Sequence, residues 1–119
     1  MNSSNQSLSN NSSFNDKVTI EWAPFETASH VTDQQLIQYA DNLEEQFLKT
    51  QQGYLRRELL KRGPNKWVDM VYWDSPENAR LATKTAHESQ VCLEYFSLMV
   101  GVEEAEAGIL HLYQVKQWN

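Results

Sequence analysis

The chain has little cysteine, glycine or proline: one, four and three residues respectively among 119. A lone Cys92 excludes an internal disulfide and a cysteine-based zinc site. The glycines form no phosphate-cradling loop, which disfavours a nucleotide-binding enzyme, and no Gly-x-Ser-x-Gly elbow is present. His30, His87 and His111 share no ligand spacing, so no metal site is expected. No apolar run approaches the roughly 20 residues that a membrane helix needs. The N-terminal stretch lacks the basic start and apolar segment of a signal peptide and the arginines of a transit peptide, so a cytoplasmic setting is expected. Sixteen acids against ten bases leave a net charge of −6, the wrong sign for general nucleic-acid binding. Six of the bases lie between Lys49 and Lys66, where a solvated hairpin is the plainer reading than a phosphate-binding strip.

What is present begins with a tail. Eleven of the first fifteen residues are Ser or Asn. Such a stretch cannot bury enough apolar surface to offset its ordering entropy, so residues 1–16 are expected to be disordered and residues 17–119 to form one domain. Val18 to Phe25 alternates and is rich in β-formers, with Pro24 expected to end its regular pairing. Thr32 or Asp33 caps a helix of about five turns whose apolar stripe is Leu36, Ile37, Ala40, Leu43, Phe47 and Leu48. Gly53 follows as a C-cap. Tyr54 to Arg62 and Lys66 to Trp73, joined by Gly63-Pro64-Asn65, read as a β-hairpin. Asp74-Ser75-Pro76-Glu77 starts a second helix, running to about Met99 with a possible break near Ser89. An acidic loop, Gly101 to Gly108, precedes a last strand from Ile109 to Trp118. The order β-α-β-β-α-β predicts an α+β, ferredoxin-like antiparallel sheet with two helices on one face.

Strand parity divides the sheet residues into two sets. Val18, Ile20, Trp22, Val68, Met70, Tyr72, Leu110 and Leu112 read as the core face. The opposite set holds Glu21, Ala23, Phe25, Trp67, Asp69, Val71, Trp73, Ile109, His111, Tyr113 and Val115. It is too apolar for a solvated surface and too polar for a plain core. A second layer enclosing a pocket is therefore expected on it, and a second copy of the chain is the economical source, giving a homodimeric barrel.

Val18-Thr19-Ile20, the long helix, Gly53-Tyr54-Leu55 with Leu59-Leu60, and Trp73-Asp74-Ser75-Pro76-Glu77-Asn78-Ala79 resemble the antibiotic biosynthesis monooxygenase family of dimeric α+β barrels. The likeness spans about residues 17 to 118, and its most specific piece, the Trp-acid-Ser-Pro-Glu-x-Ala junction, is a strand end and a helix cap. The resemblance implies a ferredoxin-like homodimer with a pocket between the sheet and its helices. It also implies an activity among cofactor-independent oxygenation of polycyclic phenols, haem degradation and quinol oxygenation. The oxygenases use an Asn late in the first strand, a Trp and often an Arg; the Asn position holds Trp22 here. The second-helix Trp and His of the haem-degrading relatives fall near Ala82 and Cys92. Only Trp73 matches by type.

Cofactor-free oxygenation needs a base, aromatic walls and exclusion of water. His111, with a pKa ordinarily near neutrality, and Glu21 are the candidate catalytic residues. Trp22, Trp67, Asp69, Trp73, His87 and Tyr113 are the candidate substrate-binding residues. His111 also reads as a strand histidine bonded to a neighbour, and His87 as a surface helix residue. Arg56 and Arg57 have opposite parity, so one faces inward, to hold an anion or to pair with Glu58 or Glu21. The expected function is a cofactor-independent monooxygenase acting on a small aromatic or quinone-like metabolite. The alternatives are a non-catalytic small-molecule-binding or stress-response dimer, and a purely structural dimer whose pocket is filled by Trp67, Trp73 and Tyr113.

Overall fold

The computed structural model describes residues 17–101 and 109–118. The tail assigned to residues 1–16 and most of the acidic loop lie outside them. Within them, the chain runs β1 (Thr19–Glu26), α1 (Asp33–Gln46), a short 3₁₀ turn (Leu48–Thr50), β2 (Tyr54–Gly63), β3 (Lys66–Trp73), α2 (Pro76–Ala86), α3 (Gln90–Phe96) and β4 (Leu110–Tyr113). The four strands form one antiparallel sheet in the order β2-β3-β1-β4, the ferredoxin-like arrangement expected.

Each helix starts where a side chain satisfies an otherwise unpaired backbone N–H. Thr32, Ser75 and Ser89 accept from the amides of Gln35, Asn78 and Cys92, and Pro76 opens α2 where its missing N–H costs nothing. The second helix is thus two helices, because Ser89 restarts the chain with a new cap after α2 ends at Ala86. The first helix is four turns rather than five, its end tightening into the 3₁₀ turn. Leu36, Ala40 and Leu43 bury its inner stripe, whereas Ile37 is left exposed on the flank. The last strand is also shorter than expected, stopping at Tyr113.

Pro24 does not end β1; the strand continues to Glu26, with Pro24 opposite Val68. Backbone geometry explains the tolerance. The amide of Gln114 donates to Val18 O and that of Val100 donates to Glu26 O, so even-numbered β1 residues aim their backbone groups away from β3. β4 pairs only as far as Trp22, and the chain after α3 takes up the edge again at Glu26. Pro24 falls between the two, at a position where no ladder needs its missing donor.

The assignment of sheet faces must be reversed. The helices cover the set containing Trp67, Val71 and Trp73, which join Leu36, Leu43, Phe47, Ala79, Cys92 and Tyr95 in one buried cluster. Ile20, Trp22, Met70, Tyr72, Leu110 and Leu112 point outward, with Leu110 and Leu112 respectively 52% and 43% exposed. Val68 lies on this outer face, buried but separate from the core cluster. The parity was right; the error lay in taking the more apolar face as the one beneath the helices.

Gly53 locks α1 to the start of α2. It has φ +85°, and a Cβ there would sit 2.4 Å from Asp74 Oδ1 and 2.5 Å from Asn78 Nδ2. Its carbonyl also accepts from the Asp74 amide at 2.8 Å. Gly53→Ala therefore meets both left-handed strain and a steric clash. A loss of about 2 kcal/mol or more is expected in urea unfolding, and an unchanged midpoint would contradict this account of the junction.

Candidate functional site

The core between sheet and helices is not filled. A cavity of about 560 Å³ lies there, within the range of small-molecule sites. Glu21, Phe25, Asp69, Val71 and Trp73 form its floor on β1 and β3. Leu43, Phe47 and Leu48 close one side; Ala82, Thr83 and His87 of α2 and Cys92, Tyr95 and Phe96 of α3 close the rest. Of Trp67, Trp73 and Tyr113, Trp73 lines this cavity and the other two do not, so the three do not fill it together.

An ion pair anchors the floor. Arg57 and Asp69 are cross-strand neighbours of the same parity on β2 and β3. Arg57 Nε donates to Asp69 Oδ1 and Nη2 to Oδ2, both at 2.8 Å, and Nη1 donates to the Ala40 carbonyl at 2.8 Å. Tyr95 Oη donates to Asp69 Oδ2 at 2.8 Å. Glu44 stands 3.7 Å from the same guanidinium and accepts from the Tyr54 hydroxyl. Both Asp69 oxygens are thus engaged, Oδ1 by Arg57 and Oδ2 by Arg57 and Tyr95, in a bidentate, structural ion pair. Burial, and then the Asp69 charge, raise the Tyr95 phenol well above its usual range, so it stays a donor.

Glu21 sits beside this pair without a cation of its own. Its one hydrogen bond is from Trp73 Nε1 at 3.3 Å. Burial and, next, the negative charge of Asp69 push its carboxyl up from 4.5 to about 7, against smaller opposing effects of the Trp73 bond and Arg57. A carboxyl with that value gains and loses its proton at neutral pH, which is the property a general base requires.

The expected site residues divide by position. Glu21, Asp69, Trp73 and His87 meet in the cavity lining. His111 pairs with Glu21 across β1 and β4 but lines a neighbouring, shallower hollow with Thr83, Ile109, Leu110 and Tyr113. Burial, then the charge of Arg80, lower its pKa, and its Nε2 is buried without a hydrogen-bond partner. Trp67 is in the core on the helix side but outside the cavity, with Lys61 Nζ 5.3 Å from its ring centre. Trp22 is on the outer face, so its side chain cannot reach the cavity. Arg57 is the inward arginine, pairing with Asp69 rather than Glu58 or Glu21, while Arg56 pairs with Glu58 over the Tyr72 ring. The sequence reading missed Tyr95 and Phe47 as cavity walls. The shared parity of Arg57 and Asp69 was the signal available for the ion pair. Among the described residues no three His, Cys, Asp or Glu side chains converge as a metal site would need, and no helix is long and apolar enough to cross a membrane.

No family model matches the sequence, and no curated protein does. Solved structures do match. A variant of SnoaB, a cofactor-independent oxygenase from Streptomyces nogalater, aligns with a TM-score of 0.60 at 17% identity, covering 87% of this chain and 96% of that one. A Nitrosomonas europaea protein assigned as an antibiotic biosynthesis monooxygenase aligns at 0.59 and 12% identity, covering 88% and 95%. One from Chloroflexus aurantiacus, assigned likewise, aligns at 0.58 and 13% identity, covering 86% and 97%. The chain therefore has the α+β, ferredoxin-like fold of the antibiotic biosynthesis monooxygenases, as the sequence motifs implied. Likeness at these identities speaks for fold and not for activity.

The Glu21 environment has a consequence for stability. Its folded-state pKa lies above its unfolded one, so its contribution to stability is fully present below pH 4.5 and is lost as pH rises through 7. Glu21→Gln should remove that decline, unfolding at higher urea than the parent at pH 8 by up to about 3 kcal/mol and little differently at pH 4. Parallel pH dependence of the two proteins would show that Glu21 is not held in this environment.

Proposed function

We propose that the protein is a cofactor-independent oxygenase of small polycyclic phenols or hydroquinones, with Glu21 as its base. The observation that carries this reading is a carboxyl outside the Arg57–Asp69 ion pair, poised near neutrality on the floor of a mainly apolar and aromatic cavity. The fold shared with SnoaB supports it. Phe47, Trp73, Tyr95 and Phe96 suit a flat aromatic ring, and Arg57 is already committed to Asp69, so the cavity favours a ligand that arrives neutral.

In this mechanism the hydroxyl of the bound phenol gives its proton to Glu21. The resulting phenolate passes one electron to molecular oxygen, and the two radicals combine at a ring carbon as a peroxide. Glu21 returns its proton to the peroxide. It then takes the proton from the same carbon as the O–O bond breaks and passes it to the departing hydroxide, which leaves as water with a carbonyl behind and the carboxylate restored. The balance is phenol plus O₂ to quinone plus water. Trp73 holds Glu21 in place through its indole N–H, and the helices exclude solvent. Asp69 and His87 complete the polar lining near the ring. A cytoplasmic setting accords with a buried, unpaired Cys92 thiol, whose pKa burial raises.

We also propose that the protein is a homodimer, joined through the outer sheet face. The expected second layer belongs there, on Ile20, Trp22, Met70, Tyr72, Leu110 and Leu112, and not over the cavity. Trp22 is then an interface residue rather than a ligand contact.

Two measurements test these readings. Oxygen uptake with 1-naphthol and 1,4-naphthohydroquinone should exceed the protein-free rate, with kcat/KM rising through about pH 7 and falling at least 100-fold in Glu21→Gln. Turnover undiminished in that variant would remove Glu21 from the mechanism. Native mass spectrometry should give a dimer for the parent and a monomer for Leu110→Glu, which introduces a charge into the proposed seam. A monomeric parent would overturn the dimer.

A further inference from the structure

The mechanism leaves one group next to Glu21 unused. Among the described residues, His111 Nε2 is the buried side-chain nitrogen or oxygen that lacks a hydrogen-bond partner. A buried polar atom left in that state is costly, and such atoms in folded proteins call for a reason.

The strand geometry brings His111 to Glu21. Glu21 is opposite His111 in the β1–β4 register. Gln114 N donates to Val18 O, so the hydrogen-bonded pairs of this ladder fall on even-numbered β1 residues. Glu21 and His111 are therefore a non-hydrogen-bonded pair, the class in which side chains approach most closely, with Cβ atoms about 4.5–5.5 Å apart. No hydrogen bond joins them directly, and a separation of this size is one that a single water can bridge. Thr83 and Ile109 line both the cavity and the hollow of His111, so the two spaces adjoin at this seam.

The other groups at the floor cannot carry a proton away from Glu21. Both Asp69 oxygens accept charge-assisted or phenolic bonds, and the Trp73 indole is a donor only. Yet a carboxyl that is protonated when an aromatic ligand closes the cavity must lose that proton before it can act as a base. Resting on the assignment of Glu21 as the base, we propose that His111 is the positioning residue through which Glu21 exchanges its proton with solvent. In this path the proton leaves the Glu21 carboxyl for Nε2 by way of a bridging water. The imidazolium then releases its Nδ1 proton on the side of the hollow, and no electron changes hands. The groups facing His111 suit the task. Glu21 on β1 attracts the transient imidazolium, while Arg80 on α2, itself paired with Glu77, keeps it from persisting; Tyr113 flanks it on its own strand.

The decisive experiment is a pH titration of the ¹⁵N-histidine-labelled protein by NMR, which requires no turnover. His111 ring nitrogens should show an added inflection near pH 7, where Glu21 titrates, and Glu21→Gln should abolish it. A single His111 inflection unaltered by Glu21→Gln would overturn the proposal. Given turnover of 1-naphthol, His111→Ala should lose about tenfold at pH 6 yet little at pH 8, where Glu21 is already ionised, and added imidazole should restore the rate at pH 6. An equal loss at both pH values, or no rescue, would mark His111 as merely structural. Absence of naphthol turnover in the parent would count against the oxygenase reading alone, since the titration still decides the proton coupling.

Discussion

The Arg57–Asp69 ion pair is the interaction on which the rest of the molecule depends. It lies almost wholly out of solvent and gathers β2, β3, α1 and α3 on one pair of charges, through Ala40 O and the Tyr95 hydroxyl. Removing either partner would strand a buried charge, which costs about 3–5 kcal/mol. The arrangement therefore specifies where α3 sits more firmly than apolar contact would. It also shapes the electrostatics of the cavity: Glu21 beside it is raised first by burial and then by the Asp69 charge, which Arg57 only partly offsets. One pair thus orders the floor and adds to the burial that raises its neighbour's pKa.

The same logic gives the two sheet faces different tasks. Under the helices the sheet carries ionisable groups because they can be paired or left poised within a walled space. Outside, it carries the half-buried Ile20, Trp22 and Met70 and the exposed Leu110 and Leu112, an apolar set with no benefit in a lone chain. Polar groups inside and apolar groups outside invert the usual monomer, and the inversion is intelligible if the outer face meets another apolar face.

Element order, the hairpin, the caps at Thr32 and Ser75, and strand parity were all legible in the sequence, because each rests on short-range chemistry. What parity could not supply was its sign. The set of Val18, Ile20, Trp22, Val68, Met70, Tyr72, Leu110 and Leu112 is the more hydrophobic, and hydrophobicity alone places it beneath the helices. Glu21, Asp69 and Trp73 were recognisable as a mixed set, but that Asp69 is locked in an ion pair depends on Arg57, which lies twelve residues away and whose two alternative partners, Glu58 and Glu21, were equally plausible in one dimension. Tyr95 was hidden for a different reason. A helical stripe carried through from Ala82 points to Leu93 and Phe96, whereas the fresh cap at Ser89 rotates the phase and buries Cys92 and Tyr95. Pro24 misled because a missing N–H matters only on a paired edge.

Fold, cavity and charge converge on Glu21, and its protonation is the point at which the account is most exposed. The most direct test is the pH dependence of the Glu21 carboxyl ¹³C shift in the unliganded protein, assigned by comparison with Glu21→Gln. A midpoint near 7 is predicted from burial and, next, the charge of Asp69. A midpoint near the ordinary 4.5 would mean that the carboxyl is solvated or neutralised, and the cavity would then lack the base on which the proposed chemistry rests.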